Sequence, residues 1–529
     1  MNFLNKLDTP LLQLSKKRGD VWTIGDAVKG TFIVGSIGSG KSSGSGRTLA
    51  HAFLRAGFGG LVLCAKPDEA DTWRQYATET GRENSLIVMD GKAQKRFNFI
   101  DYELNRIDKG SYTTPLALDA FMKIYEAMKL LDGGGGGNDR FWSDSVKLLL
   151  SHSIDALFFA LGEVRFSDLM NFIRETPTSR SELQNPAFLN SLHYKIMDAA
   201  SSAVDESQDP DKIAIMEAVA DWFWGFYEMD KKTRSNIIAT LESMALDFTK
   251  GDLAKIFCTT TNIVPEMSHH GAVIVLDFPL KVWQRGGILA QHIFKYSWMR
   301  AIERRQQSKT ARPCFLWGDE YQLFISSYDN EFSSTARSSK ACTVYLTQSI
   351  PALRDAAKTP AAKDTVDTLL NNFQTRIIHS CLDDTTRVWA ADTIGKSLQW
   401  RYSEQHNINE NTGGGTTTGS SAGNNDGINT HMHSGGGFTA SGSGGGRTRG
   451  KNRSHNTGNS TNQSVGNSEG TSRQQVIDYH LQPAFFGSSL RMGGEQNNFM
   501  VDGVFLVGGK VWEYTQKPFL ITSFSQKAL

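Results

Sequence analysis

A short run of β-branched and aromatic residues, Thr31-Phe32-Ile33-Val34, leads directly into the glycine-rich sequence Gly35-Ser36-Ile37-Gly38-Ser39-Gly40-Lys41-Ser42. The apolar run predicts a buried strand, and the small-residue segment that follows, residues 48–54, predicts a helix. Glycines at such a turn let successive backbone N–H groups point inward around an anion, at the positive end of the helix. This is the pattern of a phosphate-binding loop, the Walker A motif. It constrains the surrounding chain to an α/β fold.

The motif also predicts ATP and Mg²⁺ as ligands. Lys41 is expected to reach the β- and γ-phosphates, and the Ser42 hydroxyl is expected to ligate the metal. The residues predicted to surround the phosphates are Gly35, Ser36, Ile37, Gly38, Ser39, Gly40, Lys41, Ser42 and Ser43.

Composition sets limits on the rest of the chain. Its 529 residues leave room for roughly two to four domains. A net charge of +1 provides no overall field that would attract nucleic acid or a membrane. The five cysteines are scattered without a paired motif, which is typical of a reducing compartment. No segment approaches the roughly 18 to 20 apolar residues of a membrane span, so we expect a cytoplasmic protein.

Short apolar runs alternate with helical patterns, which predicts a parallel, doubly wound sheet. After the Walker A strand, the predicted strands are residues 59–65, 86–90, 272–277, 314–320, 343–348 and 376–379. Residues 138–260 have helical periodicity almost throughout and predict an inserted all-helical domain of four to six helices. The nucleotide-binding domain is therefore predicted in two parts, residues 1–137 and 261–406.

The C-terminal third contains a sharp change of composition. Residues 407–473 are rich in Gly, Ser, Thr and Asn, with few large apolar residues, and predict a disordered or flexible segment. Residues 474–529 contain three short strand-like runs, 499–501, 504–507 and 510–514, with a predicted hairpin turn at Gly508-Gly509. We expect this β element to lie at the edge of the main sheet and complete the nucleotide-binding domain.

Two strand ends carry candidate catalytic residues. Asp319-Glu320 follows an apolar run, as in a Walker B motif, where Asp319 would hold the Mg²⁺ shell and Glu320 would polarise the attacking water. Gln348 ends the next predicted strand, where an amide can sense the γ-phosphate and orient water. A site of this kind is often completed by an arginine from a neighbouring subunit. Arg376, Arg337 and Arg387 are candidates that the sequence does not rank, and we take Arg376 as the first of them.

Basic residues form small local clusters. Lys231, Lys232 and Arg234 form one, and Arg300, Arg304 and Arg305 form another. Either could face nucleic-acid phosphates, but the sequence favours solvated helix faces. Within the glycine-rich segment, Arg447, Arg449, Lys451 and Arg453 resemble a nucleic-acid tether.

The order of these motifs resembles that of type IV secretion coupling proteins of the TraG/TraD type, within the FtsK/HerA group of ring-shaped ATPases. The matching segments are the Walker A loop, Phe97-Asn98-Phe99, Phe141-Trp142 with Leu148-Leu149-Leu150, Asp319-Glu320-Tyr321, Thr347-Gln348-Ser349 and Leu370-Asn371-Asn372. The helical insertion followed by Walker B and Thr-Gln-Ser is the most specific part of the resemblance.

The resemblance implies a hexameric, DNA-stimulated ATPase with a RecA-like motor domain and an all-alpha domain. Such a protein delivers relaxase-bound DNA or a protein substrate to a type IV secretion channel. Family members usually carry membrane helices before the motor, whereas the Walker A loop here begins at Gly35. We therefore expect membrane contact only through a partner subunit, at the bacterial inner membrane. Gly318 also replaces the usual aliphatic residue before the Walker B acid.

Two other functions fit the same motifs. One is a cytosolic DNA pump of the HerA/FtsK kind that works without a secretion partner. The other is a substrate receptor in which ATP binding only controls assembly. Intact Lys41, Asp319, Glu320 and Gln348 favour hydrolysis over the receptor.

Overall fold

The computed structural model describes residues 6–106, 114–132, 139–305, 311–357, 362–414, 423–425, 447–454 and 461–527. The chain divides into two compact units. The first consists of Met1–Arg387 with Ala484–Leu529, and the second of Val388–Pro483.

The strands, in chain order, are β1 Pro10–Gln13, β2 Val21–Thr23, β3 Thr31–Val34, β4 Gly59–Leu63, β5 Leu86–Met89, β6 Val273–Leu276, β7 Cys314–Gly318, β8 Ala341–Thr347, β9 Thr375–Ile378, β10 Lys396–Gly414, β11 Gly423–Asn425, β12 Arg447–Ser454, β13 Thr461–Tyr479, β14 Met500–Val507 and β15 Phe519–Ser525.

The α-helices are α1 Ile24–Ala27, α2 Arg47–Arg55, α3 Glu69–Thr80, α4 Phe99–Leu104, α5 Thr114–Asp132, α6 Asp139–Leu161, α7 Phe166–Arg174, α8 Leu192–Ser207, α9 Pro210–Glu228, α10 Lys231–Ala245, α11 Gly251–Phe257, α12 Leu280–Arg304, α13 Tyr328–Thr335, α14 Ile350–Ala357, α15 Ala362–Asn371, α16 Asp384–Ile394 and α17 Phe485–Ser488.

A nine-stranded sheet organises the first unit, in the order β15-β14-β9-β3-β8-β7-β4-β6-β5. The seven strands from β9 to β5 are parallel, and β14 and β15 add antiparallel pairs at one edge. Every residue of β3, β4, β6, β7 and β8 is buried, as expected for parallel strands covered on both faces. The α/β fold class predicted from the sequence is confirmed.

An aromatic cluster packs against this sheet. Phe53 of α2 stacks on Phe315 of β7 at 5.4 Å between ring centroids, and Trp73 of α3 stacks on the same ring at 5.6 Å. Trp22 and Phe58 also contact Phe53. Burial of such large rings provides much of the apolar area that holds the helices onto the sheet. It fixes α2, the helix that follows the Walker A loop.

Helices α4 to α11 lie between β5 and β6 in the chain. A buried histidine is part of their packing: His193 stacks on Phe172 at 4.3 Å, and its Nε2 lies 2.7 Å from the Tyr227 hydroxyl. Burial lowers the pKa of His193 to about 4, so this ring is neutral near pH 7. The side chains of Phe141 and Trp142, two residues of the family resemblance, lie outside the described residues.

Arg234 connects two segments of the chain through hydrogen bonds, and it is neither solvated nor available to a phosphate. Its side chain is buried, and its two terminal nitrogens donate to the carbonyls of Pro177 (3.0 Å) and Thr178 (2.8 Å). These bonds connect α10 to the segment after α7. Neither interpretation offered by the sequence fits this residue.

We expect Arg234→Met to lower the free energy of unfolding by about 1–3 kcal/mol, because two carbonyls lose their donor while the apolar stem is kept. The measurement is urea unfolding followed by circular dichroism. Lys232→Met is the matched control, since Lys232 is exposed on the same helix. Equal stabilities for the two variants would contradict the structural role of Arg234.

The second basic cluster is also tied to the protein interior. Arg305 donates to the carbonyl of Arg312 at 2.7 Å and to the carbonyl of Ser339. Arg304 Nη2 donates to the Tyr102 hydroxyl at 3.1 Å. Both arginines therefore hold the end of α12 in place, which differs from the solvated helix face that the sequence favours.

The C-terminal hairpin differs from its prediction. Residues 499–507 were expected as two strands but form the single strand β14 from Met500. The chain turns at Gly508-Gly509, where the Lys510 N–H donates to the Val507 carbonyl at 3.0 Å. This turn does not form the predicted hairpin, because the antiparallel partner of β14 is β15, with Leu506 opposite Phe519. The intervening loop buries the Trp512 side chain, and the Trp512 backbone N–H donates to the Lys517 carbonyl at 3.0 Å. Residues 510–514 therefore belong to a loop that buries this ring, and they do not pair with β14.

The second unit contains a long ribbon. Strands β10 and β13 pair antiparallel over 19 residues each, from Lys396 opposite Tyr479 to Gly414 opposite Thr461. Both ends of the segment 407–473, predicted to be disordered or flexible, thus lie in this ribbon, with β11 and β12 as further strands. The rest of that segment lies outside the described residues, as do the side chains of the basic residues in β12.

Within the described part of the chain, no single helix combines the length and apolar composition of a membrane span. Residues Asp144–Leu161 and Phe166–Arg174 meet the criterion only as a pair, bent by 115° at the break between them.

Candidate functional site

The Walker A loop leaves β3 in the centre of the sheet. Gly38 and Gly40 have φ values of +76° and +79°, a region that side chains with a Cβ rarely adopt. A Cβ on Gly40 would also collide with the side chain of Val501 in β14. The glycines are therefore required both by the turn and by the close approach of β14.

The loop is anchored by the neighbouring strands. Its Gly35 N–H donates to the carbonyl of Thr347 at the end of β8, and its Ser36 N–H donates to the carbonyl of Ser380 after β9. The next turn, Ser42–Gly46, is π-helical and runs directly into α2. Such turns are rare and often occur at functional sites.

Behind the loop, His379 joins three elements. Its Nε2 lies 2.7 Å from the Ser45 hydroxyl, and its Nδ1 lies 2.8 Å from the carbonyl of Asp502 in β14. Burial lowers the pKa of His379 to about 4, so the ring is neutral and can donate from one nitrogen while accepting at the other. This ring therefore holds the Walker A turn against β9 and β14.

Asp319 lies beside the loop because β7 ends at the same edge of the sheet as β3. The Ser42 hydroxyl donates to Asp319 Oδ2 at 2.6 Å, although 277 residues separate the two. A hydroxyl and a carboxylate oxygen are ligands that Mg²⁺ prefers. No group of three or more His, Cys, Asp and Glu side chains that could hold a metal ion occurs among the described residues. A metal ion on Ser42 and Asp319 would thus need further oxygens from a bound phosphate or water.

Glu320 is held in place by two amides. It adopts a left-handed backbone conformation with φ +50°, and its Oε2 accepts from Gln322 Nε2 and Gln348 Nε2, both at 2.8 Å. Its Oε1 lies 4.0 Å from Lys41 Nζ. Burial alone would raise the pKa of Glu320, but these two hydrogen bonds and the charges of Lys41 and Lys66 outweigh it and lower the pKa. The carboxyl is therefore ionised and oriented.

Lys41, Ser42, Asp319, Glu320 and Gln348 form one cluster of side chains. Lys66 also belongs to this cluster, although the sequence assigns it no role. Its Nζ lies 3.1 Å from Asp319 Oδ2 and 3.2 Å from Glu320 Oε1. Despite the opposing effect of burial, the two carboxylates raise the pKa of Lys66. Glu69, at the start of α3, accepts from the Lys66 backbone N–H at 3.3 Å and from that of Ala65 at 2.6 Å. The signal in the sequence is a lysine just past the end of a buried strand, and the fold places that strand beside the Walker B strand.

The candidate arginines do not join the cluster. Arg376 is half-buried in β9, and its Nη2 donates to the Leu370 carbonyl at 3.0 Å. Burial lowers the pKa of Arg376. Arg387 pairs with Asp384, and Arg337 is exposed. The site within one chain thus has lysines as its cations.

Solved structures of other proteins share the fold of this chain, although its sequence has no match. The sequence matches no family model and no curated protein. Solved structures are similar: the plasmid coupling protein TrwB with the non-hydrolysable GTP analogue GDPNP has a TM-score of 0.55 at 12% identity, and covers 99% of this chain and 92% of its own. TrwB with ADP and Mg²⁺ gives a TM-score of 0.55 at 12% identity, with 99% and 91% covered.

A third structure, TrwB with the ATP analogue ADPNP, gives a TM-score of 0.54 at 12% identity, with 99% and 92% covered. The chain therefore shares its fold with TrwB. The resemblance indicated by the motif order is confirmed at the level of the fold.

Proposed function

We propose that the chain is a Mg²⁺-dependent ATPase of the coupling-protein kind, which moves DNA or a protein substrate toward a type IV secretion channel. One observation carries this proposal: five residues that follow three strands converge within hydrogen-bonding or ion-pair distance, namely Lys41, Ser42, Asp319, Glu320 and Gln348. They do so on a fold similar to that of TrwB, whose structures contain ADP with Mg²⁺ and analogues of ATP and GTP.

The residues fit these ligands. The Walker A loop presents backbone N–H groups at a turn where added side chains would clash: a Cβ on Gly35 would lie 2.5 Å from Ser39 Oγ and 2.7 Å from His379 Cβ. Lys41 supplies a buried cation, and Ser42 with Asp319 supplies two oxygen ligands. Bound Mg²⁺ supplies positive charge that offsets the charge of the phosphate oxygens.

Three side chains have separate roles in the proposed hydrolysis. Lys41 attracts the phosphate charge, which is worth most in a site that excludes water. Glu320, ionised and oriented, accepts a proton from the attacking water. Gln348 holds Glu320 through its amide N–H, and its carbonyl oxygen can orient the same water. Glu320 thus has the state and the position of a general base.

Lys66 contributes to the acid limit of this reaction. Its charge helps to lower the pKa of Glu320, together with Lys41, Gln322 and Gln348. A general base works only when ionised, so activity falls as the pH drops through its pKa. In Lys66→Met, the pKa of Glu320 rises, and the acid limb of kcat/KM for ATP is expected to move to higher pH.

The control for this prediction is Lys66→Arg, which keeps the positive charge and should keep the acid limb in place. Both variants and the wild type are followed from about pH 3.5 to pH 8, a range that includes the ordinary pKa of a glutamate, at constant ionic strength. An acid limb that is identical in Lys66→Met and the wild type would show that Lys66 does not act on Glu320.

The proposal includes an assembly. We expect a hexamer in which a neighbouring subunit supplies an arginine. Arg376 and Arg387 already bond within their own chain, to Leu370 and Asp384, whereas Arg337 is exposed on the surface. The proposed partners are DNA with a relaxase, or a protein substrate, and components of the secretion channel.

The experiment that tests the motor role is steady-state ATP hydrolysis with and without single- and double-stranded DNA. Stimulation by DNA is expected from a DNA motor. Turnover that is indifferent to both forms of DNA would contradict the DNA-moving part of the proposal and favour a protein substrate.

A further inference from the structure

The two sides of the Walker A loop have different surroundings. Strands β8 and β7 lie on one side of β3, and the groups that would face the terminal phosphate, Glu320 and Gln348, follow them. Strands β9 and β14 lie on the other side of β3. A nucleotide whose γ-phosphate points to Glu320 must extend its sugar and base away from β7 and β8. The groups that meet the loop on the opposite side therefore become candidates for contact with the base.

The end of the β14–β15 hairpin reaches the first helical turn after the loop. Gln526 Nε2 donates to Ser43 Oγ at 2.7 Å, and the Gln526 backbone N–H donates to the carbonyl of Phe499 at 2.9 Å. Gln526 Oε1 in turn accepts from the Gly494 backbone N–H at 2.8 Å. One side chain thus links Ser43, a residue of the phosphate loop, to the segment that enters β14.

That segment is strained. Asn498 and Phe499 have φ values of +52° and +59°, so two consecutive residues with side chains occupy the left-handed region. This conformation is costly for a bulky aromatic residue and tends to persist where function requires it. It is fixed here by the bond from the Phe499 N–H to the Gly494 carbonyl at 2.8 Å. The strained pair thus sets a half-buried aromatic residue two positions before Val501, whose side chain packs against Gly40 of the phosphate loop.

The chemistry of this patch suits a nucleobase. Phe499 provides an aromatic face, Gln526 provides an amide, and Lys527 Nζ lies 4.3 Å from the centre of the Phe499 ring. Aromatic rings bind bases by stacking, and amides can hydrogen-bond to their edges. The Walker motifs assign residues to the phosphates, the metal and the attacking water, and they assign none to the base.

We infer that Phe499 and Gln526 form the base-binding site of the nucleotide, with Phe499 stacking on the base. Lys527 covers the ring and moves aside when a base stacks there. This inference rests on the proposed function, because it places the base from the position of the phosphate loop.

The test distinguishes contacts to the base from contacts to the phosphates. Binding of two probes with Mg²⁺, the ATP analogue ADPNP and inorganic tripolyphosphate, is measured by calorimetry on the full chain. Phe499→Ala is expected to weaken ADPNP binding by about tenfold to a hundredfold and to leave tripolyphosphate binding unchanged. Gln526→Ala is expected to give a smaller loss for ADPNP only. Tyr514→Ala, at an exposed aromatic residue in the same C-terminal region, is the matched control.

A second variant is a control for misfolding. Phe499→Leu keeps the apolar volume without an aromatic face, and thermal unfolding shows whether each variant is folded. Folded variants that bind ADPNP as the wild type does would overturn the inference while leaving the proposed function intact. Equal loss of both probes would also overturn it, since Phe499 would then support the phosphate loop. A wild type that binds neither probe would overturn the proposed function itself.

Discussion

Replacing Lys41 with alanine is expected to remove ATP turnover, with a loss of at least about a hundredfold to a thousandfold. The Lys41 side chain is buried and lies 4.0 Å from Glu320. Its charge has two effects: it attracts the phosphate oxygens, and it helps to keep Glu320 ionised. Alanine removes both, so nucleotide binding should weaken together with turnover. The measurement is phosphate release by wild type and variant at saturating Mg²⁺.

The control is Lys16→Ala, because Lys16 is an exposed lysine that precedes β2. Its turnover should equal that of the wild type. Unchanged hydrolysis in folded Lys41→Ala would mean that the phosphates bind elsewhere and that this loop is not the phosphate-binding site.

Glu320→Gln is expected to bind ATP but to slow turnover by about a hundredfold to ten-thousandfold. Glutamine keeps the size of the side chain, and its carbonyl oxygen can still accept from Gln348 or Gln322. It cannot accept a proton from water at neutral pH. Binding is measured by calorimetry with ATP, and turnover by phosphate release.

Glu331→Gln serves as the matched control, since Glu331 is an exposed glutamate on α13. A folded Glu320→Gln variant that hydrolyses ATP at the wild-type rate would show that another group is the base. Loss of binding as well as turnover would instead assign Glu320 to ligand binding.

Most of the main sheet could be predicted because its parallel strands are buried on both faces. Such strands occur as short continuous apolar runs, as in β4 and β6, and they can be found without knowledge of their neighbours. The order of the strands depends on contacts between distant segments. Nothing local in residues 59–63 indicates that β6 and β7 lie on either side of β4.

In the site, too, some residues can be predicted from the local sequence, whereas others depend on contacts between distant segments. Asp319 and Gln348 could be predicted because each ends a strand, and the ends of parallel strands meet at one edge of a sheet. Lys66 cannot be predicted in the same way, because it follows the predicted strand 59–65 without a motif that marks it. Its role depends on β4 lying next to β7, which only the fold shows. The sequence does not rank its three candidate arginines, and the guanidinium of the first of them, Arg376, bonds to the carbonyl of Leu370.

The C-terminal hairpin was mispredicted for a related reason. Two adjacent glycines are a strong local turn signal, and they outweighed the apolar residues beyond them. Burial of Trp512, which contacts Phe505 at 5.9 Å between ring centroids, decides the path of the loop. This contact cannot be read from the sequence because it requires β14 to be in place. The same hairpin carries Gln526 to Ser43, which no local motif indicated.

The central claim is that this cluster hydrolyses ATP rather than only binding it. The most direct measurement is phosphate release from ATP by the purified full-length wild type, with Mg²⁺ and with EDTA. The account predicts multiple turnovers that require Mg²⁺. Stoichiometric binding of ATP without turnover, with Mg²⁺ present and with or without DNA, would contradict it and would indicate a receptor controlled by nucleotide binding.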